Sequence, residues 1–264
     1  MRLPLKTTGF VAAALALGST PALAEHHEEA AEQTRIEKFA ELPYWPGYWV
    51  SEKHQGTTIG GQAPERAEQL ELGDIMPLSG VNAPWNEEGR RRQQEAWATL
   101  GGRKSLGWGY PMMMDTGTPL AFVITPELTV ILNAYNETRY IYTDGRDLPD
   151  EYDIWPTTWG TSVGHWEGDT LVATTVMVKD PNEFFQASAA LSEEAVYVER
   201  FHLEGDALEA EMTITDPVTL SEPWTISLRW VHDEGFDRMI QVDWDNDRTG
   251  NDGEMNTIEL EKVN

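Results

Sequence analysis

Leu208-Glu209-Ala210-Glu211-Met212-Thr213-Ile214-Thr215 decides the fold class. Leu208, Ala210, Met212 and Ile214 share one face of an extended chain, and Glu209, Glu211, Thr213 and Thr215 share the other. A period of two with one apolar side marks a strand with one dry and one wet face. Trp224, Ile226, Leu228 and Trp230 repeat the pattern. Working back, residues 196–203 reach this strand through Glu204-Gly205-Asp206-Ala207, and residues 162–167 and 170–178 are joined by Gly168-Asp169. A short Gly-containing break between alternating runs is a hairpin signal. Leu120, Phe122 and Ile124 begin a further set, followed by residues 129–135 and 138–143. Forward of 232, residues 239–244 and 257–263 read as strands that finish the sheet.

Roughly nine strands with tight turns predict an all-β protein, either an antiparallel up-and-down, lipocalin-like barrel or a strongly curved sheet. Closure removes exposed edges. The barrel is assigned to residues 108–264 and an N-terminal helical and loop extension to 25–107, packing outside or plugging one end. Within that extension, residues 47–52 read as a short first strand. Residues 86–100 read as a helix, capped by Asn86 and ended by Gly101-Gly102.

Residues 1–24 carry Arg2 and Lys6, then an apolar run from Gly9 to Leu17, then Ala22-Leu23-Ala24. That order is a secretory signal, and the run is far short of a membrane span. The expected location is periplasmic or secreted, after cleavage near Ala24. There are 45 acidic and 19 basic residues, for a net charge of −26. A charge of this sign repels phosphate backbones, so no nucleic-acid partner is expected, and no later segment reads as a membrane span. Cys is absent, so no disulfides are available and the core must hold the fold. The eleven Trp and eight Tyr supply both core and the stock for an aromatic pocket.

Two strings carry a resemblance. They are Arg139-Tyr140-Ile141-Tyr142-Thr143-Asp144-Gly145-Arg146 and Gly160-Thr161-Ser162-Val163-Gly164-His165-Trp166-Glu167-Gly168-Asp169-Thr170-Leu171-Val172. With Glu199-Arg200-Phe201, Asp216-Pro217 and Pro223-Trp224, they resemble a largely uncharacterised family of exported bacterial proteins, over roughly residues 80–245. The resemblance implies a calycin-like or lipocalin-like β-barrel in the periplasm and no particular activity. This chain departs from the family pattern at Thr161, where a His is common, and at Thr174, where an acid is common.

Three constellations bear chemistry. The first groups His165 with Tyr142, Arg139 and Asp144 as an acid–base set, if they point into the barrel. It would be lined by Trp159, Trp166, Tyr140, Met112 and Met114. A His near neutrality exchanges protons, and Tyr or Arg holds a developing oxyanion. The bland alternative is that the Trp-Glu-Gly-Asp run is hairpin chemistry with His165 packed at its base. The second is Glu199-Arg200 with His202, either a buried ion pair involving Arg139 or Asp144, or a solvated outer face. The third is metal. Asp243, Asp245, Asp247 and Glu254 follow a calcium-loop spacing, but Arg248 stands where Gly belongs. His27 would be third after cleavage at Ala24, a position able to bind Cu²⁺ or Ni²⁺ with the free amine. Both metal readings are weaker than an ordinary surface.

No nucleotide loop, Gly-x-Ser-x-Gly elbow or His-Glu-x-x-His is present, and no cofactor is expected. The leading expectation is a barrel that binds a small apolar or aromatic molecule in its interior. The alternatives are a cofactor-independent lyase, isomerase or hydrolase using His165 and Tyr142, and an envelope structural protein without a ligand.

Overall fold

The computed structural model describes residues 34–54, 72–98, 108–150, 155–180, 189–233 and 238–239. Nine strands form a closed barrel in chain order. They are β1 (Trp49–Ser51), β2 (Leu120–Ile124), β3 (Leu128–Asn133), β4 (Thr138–Tyr142), β5 (Thr161–Glu167), β6 (Thr170–Val176), β7 (Val196–Glu204), β8 (Ala207–Thr215) and β9 (Trp224–His232). The stretch that decided the fold class is β8, and its Leu208, Ala210, Met212 and Ile214 are all buried.

The expected short turns are present. Gly168 and Gly205 sit at φ +62 as the first turn residues of the β5–β6 and β7–β8 hairpins. Positive φ at that position matches the right-handed twist of the strands and is free of penalty only for Gly.

Two features have no counterpart in the alternation pattern. The N-terminal extension contributes a wall strand: β1 pairs with β9 through three residues and with β2 through Trp49 and Leu120, and so closes the barrel. And one seam is parallel. β4 meets β5 only through Ile141↔Ser162 and Tyr142↔Val163, while every other neighbouring pair is antiparallel. A parallel pair needs a long connection, here residues 143–160.

The interior is crowded. Met112, Met113 and Met114 form a wholly buried 3₁₀ turn, and the Trp230 indole N–H donates to the Met114 carbonyl at 3.2 Å. Phe201 stacks on Trp230 and meets Phe122 edge-on, and Trp45 meets Phe122 and Trp166 edge-on. The helix expected at 86–100 is present as Glu87–Ala98, and the Asn86 carboxamide accepts the Gly89 N–H at 2.9 Å as an N-cap. No helix among the described residues is long and apolar enough to cross a membrane. The strand expected at 239–244, apart from Met239, the strand expected at 257–263, the acidic run 243–254 and His27 lie outside the described residues.

Candidate functional site: a groove at the parallel seam

Alternation in β4 sends Arg139 and Ile141 inward and Thr138, Tyr140 and Tyr142 outward. Because β5 joins β4 only from Ser162 onward, the beginnings of the two strands lack a shared ladder. The chain approaching β5 turns through residues 157–160 instead. The Gly160 N–H donates to the Thr157 carbonyl at 3.2 Å, and the Thr157 hydroxyl donates back to the Gly160 carbonyl at 3.2 Å. Gly160 is at φ +63, and a Cβ there would lie 2.5 Å from the Val176 carbonyl, so no other residue fits without displacement.

The result is a half-open groove of about 380 Å³. Tyr140, Tyr142 and Trp159 make its aromatic walls. Thr138, Thr157 and Thr161 supply hydroxyls and Asn136 an amide, Ser162 completes the lining with its hydroxyl turned inward, and among the described residues no lining side chain is charged. Tyr140 is 51% exposed and Trp159 37%, so these rings are presented to solvent rather than consumed by the core. The volume falls in the range of small-molecule sites, which combine apolar walls with a few polar anchors.

Below the groove lies a buried ionic network. Arg139 is 1% exposed and Glu199 is wholly buried. The Arg139 guanidinium donates to both carboxylate oxygens of Glu199 and to the Thr175 hydroxyl at 2.9 Å, and it stacks 4.2 Å from the Tyr110 ring centre. Burial pulls the Arg139 pKa down, and the adjacent Glu199 carboxylate outweighs it, leaving a net rise. Burial, then the same carboxylate, pushes the Tyr110 phenol well above its usual range. Ser162 links the levels: it lines the groove, its hydroxyl is 2.7 Å from that of Thr175, and it accepts from the Arg139 Nε at 3.4 Å.

Glu137 fixes the groove's far end. Its carboxylate accepts from the Trp108 and Gly109 N–H groups at 2.7 and 2.8 Å and from the Asn133 amide at 2.7 Å, bracing the hairpin that carries Asn136. Burial raises its pKa, and these three donors partly offset the rise. At the other rim Asp144 is exposed and bound by Arg146 at 2.6 Å, which holds its carboxyl below the usual value.

The structure therefore sorts the candidate residues into separate places. Tyr140, Tyr142 and Trp159 converge in the groove. Arg139 lies beneath it, committed to Glu199. His165, expected to join them if it faced inward, is on the outside, with its side chain 64% exposed and 3.2 Å from Glu167. Arg200 is on the same outer surface, paired with Glu167 at 2.7 Å. His165, Val163 and Glu167 do share a face, but that face is the wet one, because Ser162, Gly164 and Trp166 take the inner side of β5. Trp166 packs against Trp45, and Met112 and Met114 are core. The interior set of His165, Tyr142, Arg139 and Asp144 is thus not assembled. The polar lining escaped the sequence reading because Thr and Asn in a strand and hairpin give no signal of a groove. Among the described residues no three acidic, His or Cys side chains are placed to hold a metal ion.

No family model matches the chain, and neither a curated protein nor a solved structure does. What the site does must be argued from its geometry.

Proposed function

We propose that this chain is an exported β-barrel protein that binds a small organic molecule with an apolar or aromatic body in the groove at the β4–β5 seam. The observation that carries the reading is the pairing of three partly exposed aromatic rings with an uncharged hydroxyl and amide lining. Exposed Trp and Tyr offer large contact area at a low entropic loss, since each has only two side-chain torsions to fix. On this reading the ligand sits in the barrel wall rather than the interior, where the inward side chains of the described strands pack on one another.

Catalysis receives less support. Among the described residues the groove lining contains hydroxyls but no His or carboxylate, and Ser162 is bonded to Thr175 and Arg139 rather than to a base. A hydroxyl without an adjacent base is a weak nucleophile. Export rests on the order of residues 1–24.

The test is calorimetric titration of the purified chain with phenol, indole, benzyl alcohol and cyclohexanol. Saturable binding by at least one of them is expected, weakened about tenfold in Trp159→Ala and in Tyr140→Ala, with unchanged melting temperatures. Binding that neither substitution alters, or no binding anywhere in the panel, overturns the reading.

A further inference from the structure

The groove's rim shows what charge its aromatic faces accept. The Arg146 guanidinium carbon sits 3.9 Å from the centre of the Tyr142 ring, and the same guanidinium is held by the Asp144 carboxylate at 2.6 Å. One aromatic face of the groove is thus already covered by a cation supplied by the chain itself. Among the described residues no cation covers the faces of Tyr140 and Trp159 in this way, and both rings are partly exposed. An aromatic face carries negative quadrupole density, and Trp and Tyr hold cations better than Phe. Two further observations point the same way. The described lining has no Lys, Arg or His, the Arg146 charge at the rim is offset by Asp144, and the whole chain carries a net charge of −26, which raises the local concentration of cations and depletes anions.

We propose that the groove selects an organic cation, a small molecule bearing a quaternary or alkylated ammonium group, with the ammonium between Tyr140 and Trp159. This rests on the groove being a binding site at all and adds the sign of the ligand's charge. An alkylated ammonium suits these walls better than a bare one: it is weakly hydrated, and its methyl groups bury against the rings. The hydroxyls of Thr138 and Thr161 then face polar groups elsewhere on the ligand. Two exposed cation–π contacts together give roughly a tenfold preference over a neutral molecule of the same shape.

The experiment compares choline with 3,3-dimethylbutan-1-ol, its neutral isostere, by calorimetric titration of the full chain at about 10 mM and 150 mM salt, alongside the neutral aromatic panel above. Choline is expected to bind about tenfold more tightly than the isostere and to weaken several-fold at the higher salt. Tyr140→Leu and Trp159→Leu are expected to erase that preference; both side chains are exposed enough for the variants to fold, which their melting temperatures would show. Equal binding of choline and its isostere overturns the charge preference and leaves the groove reading standing. Binding of neutral aromatics with no binding of choline does the same. No binding of any probe overturns both.

Discussion

Two outward rows of side chains, each crossing three strands, show how differently the two sides of this barrel wall are built. On one side His202, Glu209 and Arg229 lie abreast across β7, β8 and β9, and Arg229 also reaches Glu52 at 3.3 Å. On the other side Val123, Val130 and Tyr140 lie abreast across β2, β3 and β4. Every outward residue of those three strands is uncharged: Ala121 and Val123, Leu128, Val130 and Leu132, and Thr138, Tyr140 and Tyr142. The interiors divide differently. Arg139 on β4 is buried against Glu199 on β7, whereas the buried residues of β8 and β9 are all apolar. The charged row is what a solvated wall needs. An uncharged wall that ends in an aromatic groove, on a chain of net charge −26, is the side to which the proposed function assigns the ligand.

The sharpest way to break the comparison is from inside. Arg139→Met leaves Glu199 buried without its partner and should lower stability by about 3–5 kcal/mol. For a chain of this size that is roughly 10 °C in melting temperature by calorimetry. Adding Glu199→Leu should restore much of the loss, because a buried pair is held at a desolvation cost that apolar replacements do not incur.

Asp115 gives the next largest effect. It is buried, and burial pushes its pKa up to about 7 against the opposing Leu78 N–H bond and the Lys53 charge. The folded state therefore favours the protonated acid, so stability is highest below the unfolded value near 4 and falls as pH rises toward about 7. Asp115→Asn keeps an acceptor for Leu78 and should remove that fall. Denaturation curves at pH 4 and pH 7.5 should differ by a few kcal/mol less in the variant, since each tenfold change in proton affinity on folding is worth about 1.4 kcal/mol. Equal pH dependence in both proteins would show that Asp115 is ionised without strain.

Gly160→Ala, which forces a side chain into a positive-φ turn against the Val176 carbonyl, should cost about 1–3 kcal/mol. It should also abolish probe binding, since the turn carries Trp159. The smallest effect is expected on the charged row. Glu209→Ala should change stability by less than about 1 kcal/mol and less still at high salt, because exposed pairs are screened. A loss there as large as that of Arg139→Met would erase the distinction between the two walls.

The contrast explains what the sequence could and could not disclose. β8 and β9 were legible because four apolar residues in each recur at every second position, with polar residues between them. β5 was not, because Val163 and Trp166 put apolar bulk on both parities, so nothing local says which face is inside and where His165 points. β4 misleads further: its two tyrosines face water and its arginine faces the core, against the usual sense of burial. Only the partners across the barrel, Glu199, Thr175 and Ser162, make that inversion stable. The parallel seam was hidden for a related reason, since alternation reports a strand's faces and not its neighbours.

The most direct measurement contrasts groove and interior in one sample. The chain, prepared with ¹³C-labelled tyrosine rings and assigned by Tyr→Phe variants, is titrated with whichever of the probes above binds most tightly. A ligand in the groove should shift the ring resonances of Tyr140 and Tyr142 in a saturable way and leave Tyr110 and Tyr197, both buried inside the barrel, unmoved. Saturable shifts at Tyr110 and Tyr197 with Tyr140 and Tyr142 silent would contradict a binding site in the wall and return the ligand to the interior.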